Sequence, residues 1–128
     1  MIVGIGLDVA ALDRFGEAGP ELLERLFSPA ELAAAAAFSP SRAAEWFAGR
    51  FAAKEALAKA IGSPVGLSWL DCQVLPGDDG RPGFEVGGLA AARLAKLGAA
   101  RVHLSITHDA GLAAAVVVLE SADPPLEA

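Results

Sequence analysis

Ala48 to Gly62 reads AGRFAAKEALAKAIG, a run that sets Arg50, Lys54, Glu55 and Lys59 among small and aromatic residues. On a helix turning about 100° per residue these four fall at about 0°, 40°, 140° and 180°, while Ala52, Ala53, Ala56, Leu57 and Ala60 fill the other half. The alanine half allows close approach to another element. Phe47, Phe51 and Ala58 lie among the charges rather than opposite them, which is not the pattern of a purely solvated face. Glu55 and Lys59 stand i,i+4 in the favourable order. The residues alone therefore leave two readings open: an ion pair contributing about 0.2–0.5 kcal/mol, or a functional cluster on a long central helix.

The flanks delimit this helix. Ser39-Pro40 is a start signal, and Gly62 followed by Ser63-Pro64 is a stop. Upstream, Ser28-Pro29-Ala30-Glu31 is a capping-box pattern that predicts a helix through Leu32 to about Ala37. Ala10 to Phe27 reads as a broken helical segment, interrupted at Gly16 and at Gly19-Pro20, with Leu22, Leu23, Leu26 and Phe27 as its apolar stripe. Met1 to Val9 alternates as a strand, with Val3, Ile5, Leu7 and Val9 on one side and Ile2, Gly4, Gly6 and Asp8 on the other. Its glycines clear a face for another backbone. Asp8 ends that face, either as a strand-end turn residue or as a functional carboxylate. Gly4-Ile5-Gly6 lacks the third glycine of a dinucleotide fingerprint.

Downstream the period changes. Ser68 to Leu75 alternates as a strand with Leu70, Cys72 and Val74 inward, and Pro76 to Gly83, PGDDGRPG, is a turn-rich loop. Within it Asp78-Asp79 reads as a solvated turn, and Arg81 is a candidate anion contact. Phe84 to Val86 reads as a short strand, and Leu89 to Leu97 as an amphipathic helix closed by Gly98. Arg101 to His108 alternates, with Val102, Leu104, Ile106 and His108 on one side. Asp109-Ala110-Gly111 then turns into Leu112 to Leu119, a strand rich in valine and alanine and expected to be buried on both faces. His103 and His108 point to opposite sides. His108, at the strand end beside Thr107 and Asp109, is the better functional candidate.

The 128-residue chain is 54% hydrophobic and 20% charged, which is the composition of one globular domain with a real core. A net charge of −6 argues against general nucleic-acid binding. A single cysteine, Cys72, excludes an internal disulfide framework. The N-terminus has no basic run, and no stretch approaches the roughly 18 apolar residues of a membrane span, so a cytoplasmic protein is expected.

Three separated segments thus each offer one piece: Asp8 on a strand end, Arg50/Lys54/Glu55/Lys59 on a helix, and His108 on a late strand. Two carboxylates from different elements are a sparse Mg²⁺ site, since that ion keeps waters and takes other ligands from substrate phosphates. Nearby cations would bind those phosphates. The set suggests phosphoryl chemistry, where positioning and charge stabilisation provide most of the catalysis.

The segments Ile2-Val-Gly-Ile-Gly-Leu-Asp8-Val with Asp13-Arg14-Phe15, then Arg50-Phe-Ala-Ala-Lys54-Glu55 with Lys59 and Gly62, then His103-x-Ser105-Ile-Thr107-His108 resemble three motifs of one family. They are those of the holo-acyl carrier protein synthases, the small bacterial members of the 4′-phosphopantetheinyl transferase superfamily. The resemblance implies an α+β fold in a single domain, with an antiparallel sheet packed on a long central helix. That domain would span residues 1–121, followed by a short frayed tail over 122–128. It implies transfer of the phosphopantetheine arm of coenzyme A to a serine of an apo acyl carrier protein, with release of adenosine 3′,5′-bisphosphate.

Carried over by position, the resemblance makes Asp8 and Glu55 ligands of a Mg²⁺ that bridges the coenzyme A pyrophosphate, and Lys59 the group beside the phosphate under attack. Arg50, Lys54 and His108 would contact coenzyme A phosphates, with Arg42 and Arg81 as weaker candidates, and Gly62 would close the helix near the cofactor. The family assembles as a homotrimer with each coenzyme A between neighbouring subunits. One departure concerns the carrier: the segment after the first strand is typically basic, whereas here Asp13, Glu17, Glu21 and Glu24 face only Arg14 and Arg25 as carrier contacts. Long-range steering of an acidic carrier is expected to be weak. A non-catalytic trimeric module that binds coenzyme A or carrier protein is the rival reading.

Overall fold

In the computed structural model, which describes residues 1–123, the Ser39-Pro40 signal opens a 21-residue helix, α4 (Pro40–Ala60). The Ser39 hydroxyl accepts the Arg42 amide at 3.3 Å, and Pro40 occupies a first-turn position where no amide hydrogen is needed. At the far end Gly62 takes a left-handed φ of 89°, its amide donates to the Lys59 carbonyl at 3.1 Å, and the Ser63 amide reaches back to Ala58 at 2.7 Å. That double closure is a Schellman motif, so both helix limits follow from local chemistry.

Ahead of α4 come β1 (Ile2–Ala11), α1 (Asp13–Gly16), α2 (Pro20–Leu26) and α3 (Pro29–Ala35). The capping box of α3 is fully formed: the Glu31 amide donates to the Ser28 hydroxyl at 3.2 Å, and the Ser28 amide donates to the Glu31 carboxylate at 2.9 Å. After α4 a 3₁₀ turn at Trp69–Asp71 precedes β2 (Cys72–Pro76), β3 (Pro82–Val86), α5 (Gly88–Leu97), β4 (Ala99–Asp109) and β5 (Leu112–Ser121). The turn displaces the expected start of the second strand. Leu70, expected inward, is exposed on it, while Cys72 and Val74 are buried as the alternation predicts.

The main sheet is antiparallel in the order β1-β5-β4, and β2 and β3 form a separate antiparallel pair. Strand register places Gly6, Val117 and Leu104 in one cross-strand row, Asp8, Ala115 and Ile106 in the next, and Ala10, Ala113 and His108 in a third. These rows face α4. The helix lies close because β1 is cleared there: a β-carbon on Gly6 would collide with the Ala56 carbonyl, and one on Gly4 with the Ala60 carbonyl. Ala48, Ala52, Ala53, Ala56 and Leu57 are fully buried against this surface.

A second layer covers the opposite side of α4. Phe15, Phe27, Phe47 and Phe51 pack with ring centroids 4.8–6.2 Å apart and seat α1 and α2 on the helix. The phenylalanines that stand among the charges of α4 are therefore core.

β5 is not buried on both faces. Ala113, Ala115, Val117 and Leu119 are enclosed, but the alternate residues are only half-covered because none of the described residues packs on the outer side of the sheet. On that side Ile5, Leu7 and Val9 are 65%, 61% and 54% exposed. Of the tail expected over 122–128, residues 124–128 lie outside those described. Among the described residues no helix is long and apolar enough to cross a membrane.

Candidate active site

The strand β1 and the helix α4 bring three of the expected residues together. Lys59 Nζ donates to Asp8 Oδ1 at 3.0 Å and to the Leu7 carbonyl at 2.9 Å. Glu55, one turn earlier on α4, lies within the field of both. Partial burial raises its carboxyl above the ordinary range, the neighbouring Asp8 charge raises it further, and Lys59 and Arg14 act in the opposite sense. Arg14 reaches this cluster from α1, its guanidinium 5.0 Å from the Phe51 ring centroid.

Glu55, whose charge burial and the neighbouring Asp8 disfavour, could together with Asp8 hold a hard cation. Mg²⁺ suits the pair, because that ion needs few protein oxygens and completes its shell with water and phosphate. Among the described residues no group of three or more potential metal-ligating side chains occurs. Beside Glu55 and Lys59 opens a groove of about 320 Å³ walled by Ala58, Pro64, Leu67 and Trp69. Its wall is largely apolar, so it fits an uncharged chain rather than a phosphate.

A second cluster forms at the opposite edge of the sheet. Arg42, Glu45, Trp46, Arg50, Ile106 and His108 line a hollow of about 140 Å³. Arg50 stacks on Trp46 with its guanidinium carbon 4.5 Å from the ring centroid, Arg42 stacks on Phe38 at 4.1 Å, and His108 Nε2 stands 3.9 Å from Glu45 Oε2. Burial lowers the Arg50 pKa, against the opposing pull of Glu31. The Arg50 Nε–H is buried with no acceptor. Since buried donors are nearly always satisfied, two stacked guanidiniums with an unused donor could hold an anion here, with the Glu45 carboxylate as the opposing charge.

Asp8 and His108 stand on the two outer strands with β5 between them and two residues apart along the strands, so their backbones are about 12 Å apart. One chain thus carries two separate clusters. Of the residues expected from the sequence to act together, the structure brings Asp8, Glu55 and Lys59 to one cluster and Arg42, Arg50 and His108 to the other.

Three further expected residues are elsewhere. Lys54 is completely buried and paired with Glu31 at 2.7 Å, leaving it no surface for a phosphate. Desolvation lowers its pKa, with Glu31 opposing. Arg81 is at the exposed β2–β3 turn, paired with Asp79 at 3.1 Å, and borders neither cluster. Gly62 closes α4, and a β-carbon there would approach Arg93 Nη2 at 3.2 Å, so its place is structural closure ahead of the Ser63-Pro64 wall. Arg25 is exposed on α2.

Trp46, Trp69 and Glu31 are the participants that the sequence reading did not find. The Trp46 signal was available, as an aromatic four residues before Arg50 on a helix. Trp69 carried no local signal, and Glu31 announced its capping box but not its pairing with Lys54. A larger hollow of about 440 Å³ between Asp71, Gln73 and Glu85 presents carboxylates and no basic group, so it does not suit a phosphate.

The sequence model of the 4′-phosphopantetheinyl transferase superfamily matches residues 4–117. The chain is 50% identical over 123 residues to a holo-[acyl-carrier-protein] synthase of Salinispora arenicola, covering 94% of this chain and 99% of the relative. To the protein of that name from Streptomyces coelicolor it is 49% identical over 122 residues, covering 93% and 98%. Among solved structures, the holo-(acyl-carrier-protein) synthase of Bacillus anthracis in complex with CoA (3′,5′-ADP) superposes with a TM-score of 0.79 at 40% identity, over 95% of this chain and 99% of that one. The Helicobacter pylori holo-[acyl-carrier-protein] synthase in complex with coenzyme A gives 0.74 at 30% identity, over 91% and 99%.

Proposed function

The chain belongs to the 4′-phosphopantetheinyl transferase superfamily, and from that premise we propose that it transfers the 4′-phosphopantetheine arm of coenzyme A to a serine of an apo acyl carrier protein. The observation that carries the reading is the meeting of Asp8, Glu55 and Lys59 beside an apolar groove.

The serine oxygen attacks the phosphorus that bears the arm and forms a phosphodiester. The bond from that phosphorus to the bridging pyrophosphate oxygen breaks, and adenosine 3′,5′-bisphosphate leaves. Asp8 and Glu55 would hold Mg²⁺, which supplies neutralisation of pyrophosphate charge when bound. Lys59 is the cation of this cluster with a half-exposed side chain and three donors. Held by the Leu7 carbonyl, it is placed to stabilise charge on the reacting phosphate or to relay the serine proton. The groove past Ala58 and Trp69 takes the uncharged arm, and Arg42, Arg50 and His108 take the phosphates of the nucleotide end.

Because the two clusters occupy opposite edges of one sheet, the reading includes a homotrimer in which each coenzyme A lies between one protomer's Asp8 cluster and a neighbour's Arg50 cluster. The exposed strip of Ile5, Leu7 and Val9 supports this, since apolar strand faces of that extent call for a partner. Arg14 and Arg25 are the carrier contacts in this reading, the Arg14 charge being felt at Glu55. A cytoplasmic setting, where thiols such as Cys72 stay reduced, belongs to the same proposal.

Incubation with coenzyme A, Mg²⁺ and apo carrier protein should add the mass of phosphopantetheine to the carrier. Glu55→Gln should abolish that addition while the fold persists. No adduct on any of several carriers, or near-normal turnover of the variant, would sink the reading.

A further inference from the structure

Lys54 cannot touch a ligand, yet its ammonium links parts of the site that are far apart in sequence. It donates to Glu31 Oε1 at 2.7 Å and to the Trp69 carbonyl at 2.9 Å. Glu31 also accepts the Ser28 amide at 2.9 Å and the Val74 amide at 3.0 Å. One buried ion pair therefore ties the first turn of α3, the middle of α4, the 3₁₀ turn and β2 to a common point.

The segment between α4 and that turn is held by Leu67 against the core and is otherwise open. Val65 is 99% exposed, and a β-carbon on Gly66 would meet nothing. Trp69, which ends this segment, is fixed by Lys54 on its carbonyl and by the edge of Phe51 on its ring, with centroids 5.7 Å apart. Stability alone does not account for the pair, because a buried ion pair is often matched by apolar residues of similar volume. The Trp69 carbonyl also accepts the Cys72 amide, which closes the turn locally; what such residues could not supply is the donor that ties this carbonyl to α4. Lys54 also precedes Glu55 directly, so the same anchor sets the carboxylate and the groove wall in one frame.

We propose that Glu31 and Lys54 are positioning residues: they hold Trp69 as the groove wall beside Glu55 and Lys59, and that wall binds the uncharged arm of coenzyme A and not its nucleotide end. The inference rests on the reading of the groove given above. It predicts a loss confined to one half of the ligand.

The test is calorimetric titration, in Mg²⁺ buffer, of coenzyme A and of adenosine 3′,5′-bisphosphate, which keeps the nucleotide end and lacks the arm. The proteins are wild type, Lys54→Met, the double variant E31Q/K54M and Trp69→Ala. Coenzyme A affinity should fall about tenfold or more in each folded variant while the bisphosphate binds as before, since displacement of a positioning group is felt by the contact it places. The Michaelis constant for coenzyme A should rise more than the turnover number falls. Where Lys54→Met leaves Glu31 alone in the core and unfolds the chain, the double variant carries the test. Trp69→Ala carries it with the pair intact. Equal loss of both ligands, or unchanged coenzyme A affinity in Trp69→Ala, would overturn the proposal. A wild-type protein that binds coenzyme A no better than the bisphosphate overturns it as well, and one that binds neither refutes the functional reading itself.

Discussion

Lys59 Nζ lies 3.0 Å from Asp8 Oδ1, so an ammonium on the central helix meets a carboxylate 51 positions earlier on the first strand. The lysine side chain is half-exposed, and a pair of that kind contributes about 0–1 kcal/mol to stability. Its value is therefore in placement rather than in holding the fold.

Replacing Lys59 with Met should leave thermal stability nearly unchanged and lower the transfer rate about 10²–10³-fold, the usual cost of losing a preorganised charge in a reacting site. Mg²⁺ affinity should stay level or rise, because the ammonium that shares Asp8 is gone. Single-turnover transfer and metal titration check both arms, and weakened metal binding would contradict the account.

The raised Glu55 carboxyl has a defined consequence for the metal-free protein. Its pKa is higher folded than unfolded, so the folded state binds the proton more readily between the ordinary value of 4.5 and the raised one. Stability from this group is complete at lower pH and is lost as pH rises through that window. Urea unfolding in a chelating buffer should show Glu55→Gln gaining on wild type as pH rises across it, and then a constant difference above it. A difference independent of pH would reject the shift.

Gly6→Ala should destabilise the chain by about 1–3 kcal/mol, because the added methyl collides with the Ala56 carbonyl, which an α-helix cannot move. Denaturant midpoints measure this. Activity should fall with it, since Asp8 lies two residues on along the same strand. A neutral substitution would show that α4 and β1 are less tightly apposed than described.

Burial pushes the Cys72 thiol up to about 11, with Lys54 opposing and Asp71 and Glu31 adding to the rise. Thiolate is the reactive form, so a chromogenic thiol reagent at neutral pH should label Cys72 only after denaturant is added. Prompt labelling of the native protein would refute its burial.

Leu7→Asp places a charge in the exposed apolar strip without disturbing the face that packs on α4. Sedimentation should show a folded monomer with transfer lost, if a neighbour completes the site. A trimer that forms normally would remove that strip from the interface.

Local signals were legible wherever the partners of a residue lie within a few positions of it. Ser28 and Glu31 announce their capping box, Ser39-Pro40 and Gly62 bound α4, and Gly4 and Gly6 mark a cleared strand face. The two-sided burial expected for β5 failed because valine and alanine pack equally well on a partner subunit or in a core. Leu70 failed because a 3₁₀ turn interrupts the alternation just before β2.

The two lysines of α4 draw the boundary most clearly. By itself the sequence determined that both lie on one capped helix with Glu55, and that this helix belongs to a phosphopantetheinyl transferase motif. Only the tertiary structure decided that Lys59 faces Asp8 at the surface and Lys54 the core. A helix backed by alanine has little apolar contrast to orient it, and the deciding partners are remote: Asp8 for one lysine, and Glu31, 23 positions upstream, for the other. Burial of a charge depends on whether such a partner arrives. Chain topology settles that, and local propensity does not.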